Sequence, residues 1–140
     1  MAIFIQADSS MTAFGSTEFV HAFFSTISFN LEPNGWGTRF PAIMVELYQG
    51  ELRKVSAQSA ISELKLIKQE FEKLSPSNVV WDIENLSLQP PWGIDIAEDI
   101  TSLGNYFVTS EGGDVFDALF ENIEYLMDEP SCKAIQLISF

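Results

Sequence analysis

One cysteine, one histidine and only seven lysines and arginines are found in this chain of 140 residues. Cys132 alone cannot close an internal disulfide, and together with His21 it falls short of the usual cysteine and histidine metal sites, so no metal and no cofactor is expected. The seven cations face 20 acids, for a formal net charge of -13. Such a balance excludes direct nucleic-acid binding and an anionic membrane surface, because each phosphate contact needs a cation that the chain lacks. An apolar run of the roughly 20 residues that a membrane helix requires is also missing, as is the basic start and apolar stretch of a signal peptide. The cytoplasm is the expected compartment.

Apolar material is plentiful: 46% of residues are hydrophobic and 13% aromatic. A chain of this length and composition predicts a single domain over residues 1–140 with a substantial core. Its charge is unevenly spread. Residues 71–140 hold 2 basic and 13 acidic side chains, and no lysine or arginine lies between Lys73 and Lys133. Two accounts are open: the excess keeps the protein soluble, or it faces a basic partner.

The start, AIFIQA, predicts a strand ending near Asp8, followed by a polar stretch. Ser16 stands where a helix cap belongs, ahead of a stripe formed by Phe19, Val20, Phe23, Phe24, Ile27 and Leu31. His21 falls on the flank of that stripe, as a boundary or surface residue. Turn residues crowd EPNGWGTRFP at 32–41. Trp36 between two glycines is a plug over the core or an interface anchor, and Arg39 is expected to pair internally with Glu32 or Glu46. A short helix is predicted from Pro41 to Tyr48, a loop or brief edge strand at 51–55, and a helix from Ala57 to Leu74. Val79, Val80 and Trp81 predict a strand, and NYFVT at 105–109 a second. Between them, residues 82–102 form a long ordered loop that Trp92 and Ile94 pin to the body.

The last helix carries Val115, Phe116, Leu119, Phe120, Ile123, Leu126 and Met127 on one side, with Thr109 or Ser110 as its expected cap. Asp114, Asp117, Glu121, Glu124 and Asp128 occupy the other side. At about 100° per residue these five project within a sector of about 80°. Like charges at i,i+4 cost a few tenths of a kcal/mol per pair, which nothing local offsets. An apolar strand from 133 to 140 ends the chain. About four strands and four helices result, in the α+β class, as a mixed sheet packed with helices.

Catalytic chemistry would have to come from carboxylates. Asp95, Glu98 and Asp99 cluster in the proline-flanked loop, but no calcium-loop spacing, H-E-x-x-H or phosphate-binding glycine loop accompanies them. No catalytic residues are assigned, and a carboxylate-based metal-dependent hydrolase is the weakest alternative. A binding role needs only what is present, an acidic helix face and an acidic loop. The candidate contacts are Asp114, Asp117, Glu121, Glu124, Asp128, Asp95, Glu98 and Asp99, with a nucleic-acid mimic or a general acidic protein-binding module as alternatives.

Three runs, HAFFSTISFNLEPNGWGTRFP at 21–41, VVWDIENLSLQPPWG at 79–93 and NYFVTSEGGDVFDALFE at 105–121, resemble the bacterial immunity protein 70 family. The resemblance spans about residues 15–127. It implies a non-enzymatic α+β domain that binds and neutralises a cognate toxin C-terminal domain of a polymorphic toxin system. A basic nuclease is the expected toxin type, with the immunity protein a monomer or weak homodimer. The matching positions include Trp36, Gly37 and Arg39, then Trp81, Asp82, Pro91, Trp92 and Gly93, then Ser110, Gly112 and Asp114. Of these, Trp36, Arg39, Trp81 and Trp92 are expected to be structural.

Overall fold

Alternation of Ile3, Ile5 and Ala7 with Phe4 and Gln6 gives the first strand two unlike faces, and the rest of the sheet continues them. The computed structural model describes all residues from Met1 to Phe140. Strands β1 (Ala2–Ala7), β2 (Ser10–Ser16), β3 (Glu51–Arg53) and β4 (Ala134–Ser139) form one sheet in the order β2-β1-β4-β3. Ile5, Ala7, Leu52 and Ile135 are buried against the helices. Phe4 and Gln6, paired with Ile138 and Gln136, occupy the open face, where the Phe4 and Phe140 rings meet edge to face at 5.6 Å.

Helices α1 (Thr17–Leu31), α2 (Ala57–Phe71) and α3 (Val115–Asp128), with a π-helical segment at Ala42–Leu47, supply the other layer. Ser16 caps α1, its side chain accepting from the Phe19 N–H at 3.1 Å. The core is one cluster of 31 buried residues. Its centre is aromatic: Phe23 lies 5.1 Å from Phe107, 5.5 Å from Phe116 and 5.9 Å from Phe14, ring centre to ring centre, in edge-to-face contacts. Edge-to-face pairing aligns the positive rim of one ring with the negative face of another. Phe107 thereby carries the long connection between α2 and α3 into the core.

The α+β class and the count of elements stand, and four local expectations change. The sheet is antiparallel throughout rather than mixed. The reason lies at the end of α3, where the hydroxyls of Tyr125 and Ser131 donate to the Asp8 carboxylate at 2.7 and 3.0 Å. The chain therefore re-enters the sheet beside the last residue of β1 and must run antiparallel to it. The stretch after Asp8, expected to be polar loop, is β2; Asp8 turns the hairpin with a positive φ of 53°. Its SMTAFGS sequence shows little alternation because β2 is an edge strand whose single partner is β1. Val79–Trp81 and Asn105–Thr109 are not strands. The Val80 N–H donates to Thr26 Oγ1 at 3.0 Å, and the Ile83 N–H to Ser25 Oγ at 3.2 Å. Side chains of α1 thus satisfy the backbone that a sheet neighbour would otherwise have paired. Residues 105–109 make one isolated bridge, Val108 with Asp114.

Candidate partner-binding surface

Helix α3 is capped by Asp114, not by Thr109 or Ser110. The Asp114 carboxylate accepts from the Phe116 N–H at 2.8 Å and the Asp117 N–H at 3.2 Å, satisfying two of the helix's unpaired donors. Thr109 instead closes the preceding turn, its Oγ1 accepting from the Gly113 N–H at 3.0 Å. Asp114 is half-buried, and that burial raises its pKa against the lowering effect of the two N–H bonds. The structure sets it apart from the other acids of its row.

Asp117, Glu121, Glu124 and Asp128 are exposed, on the side of α3 opposite Phe116, Leu119, Ile123 and Leu126. The protein's two ion pairs, His21 with Asp82 and Arg39 with Glu70, lie elsewhere. The four carboxylates therefore stand in a row with no cation paired to them. Beside the row, Tyr125 is bound to Asp8; that hydrogen bond is the first cause pushing the phenol pKa up to about 12. Asp8 thus adds a fifth carboxylate to this edge.

The loop from 82 to 102 is ordered by successive turns, among them Asn85 N–H to Asp82 O at 3.1 Å, Gly93 to Pro90 at 2.9 Å and Asp95 to Trp92 at 3.0 Å. Asp95, Glu98 and Asp99 are exposed on it. They do not converge with other ligating side chains into a group fit to hold a metal ion. No ion pair joins them to any cation. Trp81 and Trp92 meet edge to face at 5.5 Å, and Trp92 Nε1 donates to Tyr106 Oη at 2.8 Å, which ties the loop to the core. Trp92 remains 38% exposed, and Ile94, expected to pin the loop with it, is 99% exposed and does not.

Trp36 plugs the turn region: its Nε1 donates to the Met44 carbonyl at 2.8 Å and its ring meets Tyr48 edge to face at 4.9 Å. Gly37 follows at a φ of 79°, where a Cβ would lie 2.5 Å from Val45 Cγ2, so glycine is required there. Arg39 pairs with Glu70 of α2, at 3.3 and 3.4 Å, rather than with Glu32 or Glu46. Glu32 has another use. Buried, its carboxylate accepts the N–H groups of Gly37, Arg39 and Phe40 at 3.0, 3.1 and 3.1 Å and holds the turn from inside. Glu63 does the same for the π-helical segment, accepting from Ala42 and Ile43 at 3.2 and 3.0 Å.

His21 is the residue whose place the sequence leaves least visible. Nδ1 lies 2.8 Å from Tyr48 Oη, Nε2 lies 3.2 Å from Asp82 Oδ1, and the ring stacks with Trp36 at 6.2 Å. Both ring nitrogens are engaged, and burial with the charges of Glu84 and Asp82 raises the Tyr48 pKa and keeps the phenol protonated. The triplet is a tether between α1, the π-helical segment and the loop. Its one advance signal is the polar flank of α1, where His21, Ser25, Thr26 and Asn30 recur at helical spacing and each bonds the segment from Asn78 to Ile83.

Cys132 is buried, and burial raises its thiol pKa. No helix is long and apolar enough to cross a membrane.

The family model described as immunity protein 70 matches residues 5–135, reaching further at both ends than the three sequence runs that carry the resemblance. No curated protein and no solved structure matches the chain.

Proposed function

The chain belongs to the immunity protein 70 family, and from that premise we propose that it binds and neutralises a cognate toxin domain of basic surface, using the outer face of α3. The observation that carries this reading is the unpaired row of Asp117, Glu121, Glu124 and Asp128 on a helix whose other face is core. Mutual repulsion along the row opposes folding, so the row contributes to something other than stability. Opposed to lysines and arginines, the same charges steer encounter and exclude wrong partners. A nuclease is a natural target, because a surface that grips a phosphate backbone is basic. Asp95, Glu98 and Asp99 extend the contact, inhibition proceeds by binding with no catalytic step, and the protein acts in the cytoplasm as a monomer or weak homodimer.

The test uses the toxin domain encoded beside the gene, inactivated for safe handling. Stopped-flow association is measured for the parent and for the Asp117→Asn, Glu121→Gln, Glu124→Gln triple variant at two salt concentrations. The triple variant is expected to associate about tenfold more slowly at low salt, with the gap closing as salt screens the field. Equal rates at low salt would overturn the role of α3.

A further inference from the structure

The first turn of α1, the loop at 92–100 and the segment 106–110 enclose an open cleft of about 420 Å³. Phe19, Trp92, Ile96, Ile100 and Tyr106 give it apolar and aromatic walls, and Asp95 is the one charged side chain that lines it. Asp95 has no ion-pair partner, and the segments that form the walls, residues 15–19 and 92–110, contain no lysine or arginine. The nearest charges in sequence, Glu18, Glu98, Asp99 and Glu111, are all negative.

A slot with apolar aromatic walls and one free carboxylate is matched by a side chain with an apolar stem and a cationic head. Between the two candidates, arginine fits better than lysine. Its guanidinium is planar, weakly hydrated and stacks on aromatic faces, and it forms paired hydrogen bonds to a carboxylate. We propose that this cleft is the anchor site for an arginine of the toxin, seated between the aromatic walls with its head on Asp95. This deepens the toxin-binding reading and rests on it. The α3 row governs how fast the partner arrives, and the cleft governs how long it stays, since a desolvated anchor in a pocket acts on dissociation.

Two measurements decide it. In the first, which needs no toxin, amide and indole NMR signals of the protein are followed as N-acetyl-arginine amide is added at millimolar concentrations, with N-acetyl-citrulline amide as the uncharged isostere. Saturable shifts are expected at Trp92, Asp95 and Ile96 with arginine, weaker ones with citrulline, and loss of the difference in Asp95→Asn. Shifts elsewhere, none, or equal shifts with the two probes would overturn the proposal. In the second, dissociation of the toxin domain encoded beside the gene is compared for the parent, Asp95→Asn and Ala97→Phe, the last of which fills the cleft from its lining. Both variants are expected to dissociate at least tenfold faster with association nearly unchanged. A toxin that binds the parent and both variants alike removes the anchor while leaving the proposed function in place. A toxin that does not bind the parent at all removes the proposed function, and the NMR titration then decides whether the cleft takes an arginine.

Discussion

Nε2 of His21 lies 3.2 Å from Oδ1 of Asp82, a contact that spans 61 positions of sequence and fastens the start of the long loop to α1. The Asp82 carboxyl is held below the usual aspartate range, first by the Glu84 N–H and then by His21. A carboxyl lowered on folding contributes stability above its unfolded pKa and loses it as pH falls through the folded value. Asp82→Asn is therefore expected to be less stable than the parent at neutral pH, with the difference vanishing in acid below the ordinary aspartate range. Urea denaturation of the two proteins across that pH range checks it; a difference independent of pH would remove the linkage.

Glu63 has the opposite sign. Burial raises its pKa above the usual glutamate range, outweighing the two N–H bonds it accepts. The folded state then binds a proton on Glu63 more readily than the unfolded chain, so this group's contribution is fully present below the unfolded pKa and declines as pH rises through the folded one. Relative to Glu63→Gln, the parent is expected to lose stability between acid and neutral pH, which the same denaturation series measures.

Trp36 and Trp92 differ in depth. Truncation of a fully buried tryptophan costs about 3–5 kcal/mol. Trp36→Ala, which also removes the bond to Met44, is expected to approach the lower end of that range, about 3 kcal/mol, while Trp92→Ala costs about half as much because its ring is partly solvated. Chemical denaturation midpoints rank the two. A Trp92→Ala loss equal to that of Trp36→Ala would show that the loop is as deeply built into the fold as the turn.

Asp114 and the row beyond it separate by the same measurement. Asp114→Ala removes the cap of α3 and is expected to cost about 0.5–2 kcal/mol. Neutralising Asp117, Glu121 and Glu124 together relieves like-charge pairs and is expected to raise the thermal midpoint slightly. A lower midpoint for the triple variant would mean that the row contributes to folding.

Elements whose apolar positions repeat along the chain were legible in the sequence: β1, α1, α2, α3 and β4, with their buried faces and the acidic side of α3. Local chemistry reports these because each helix or strand displays its own period before it meets anything. Turn chemistry likewise marks the segment around Trp36. Tertiary structure alone decided where backbone and charge found their partners. Val79–Trp81 has the composition of a strand, yet Thr26 on α1 takes the hydrogen bonds of its central residue, accepting from the Val80 N–H and donating to the Val80 carbonyl. Glu32, in a turn, folds inward onto three N–H groups, while Arg39 reaches across to α2 instead. The cleft beside Asp95 joins α1 to a loop more than seventy residues away. Such contacts depend on the distance between side chains after packing, and separation along the chain does not encode it.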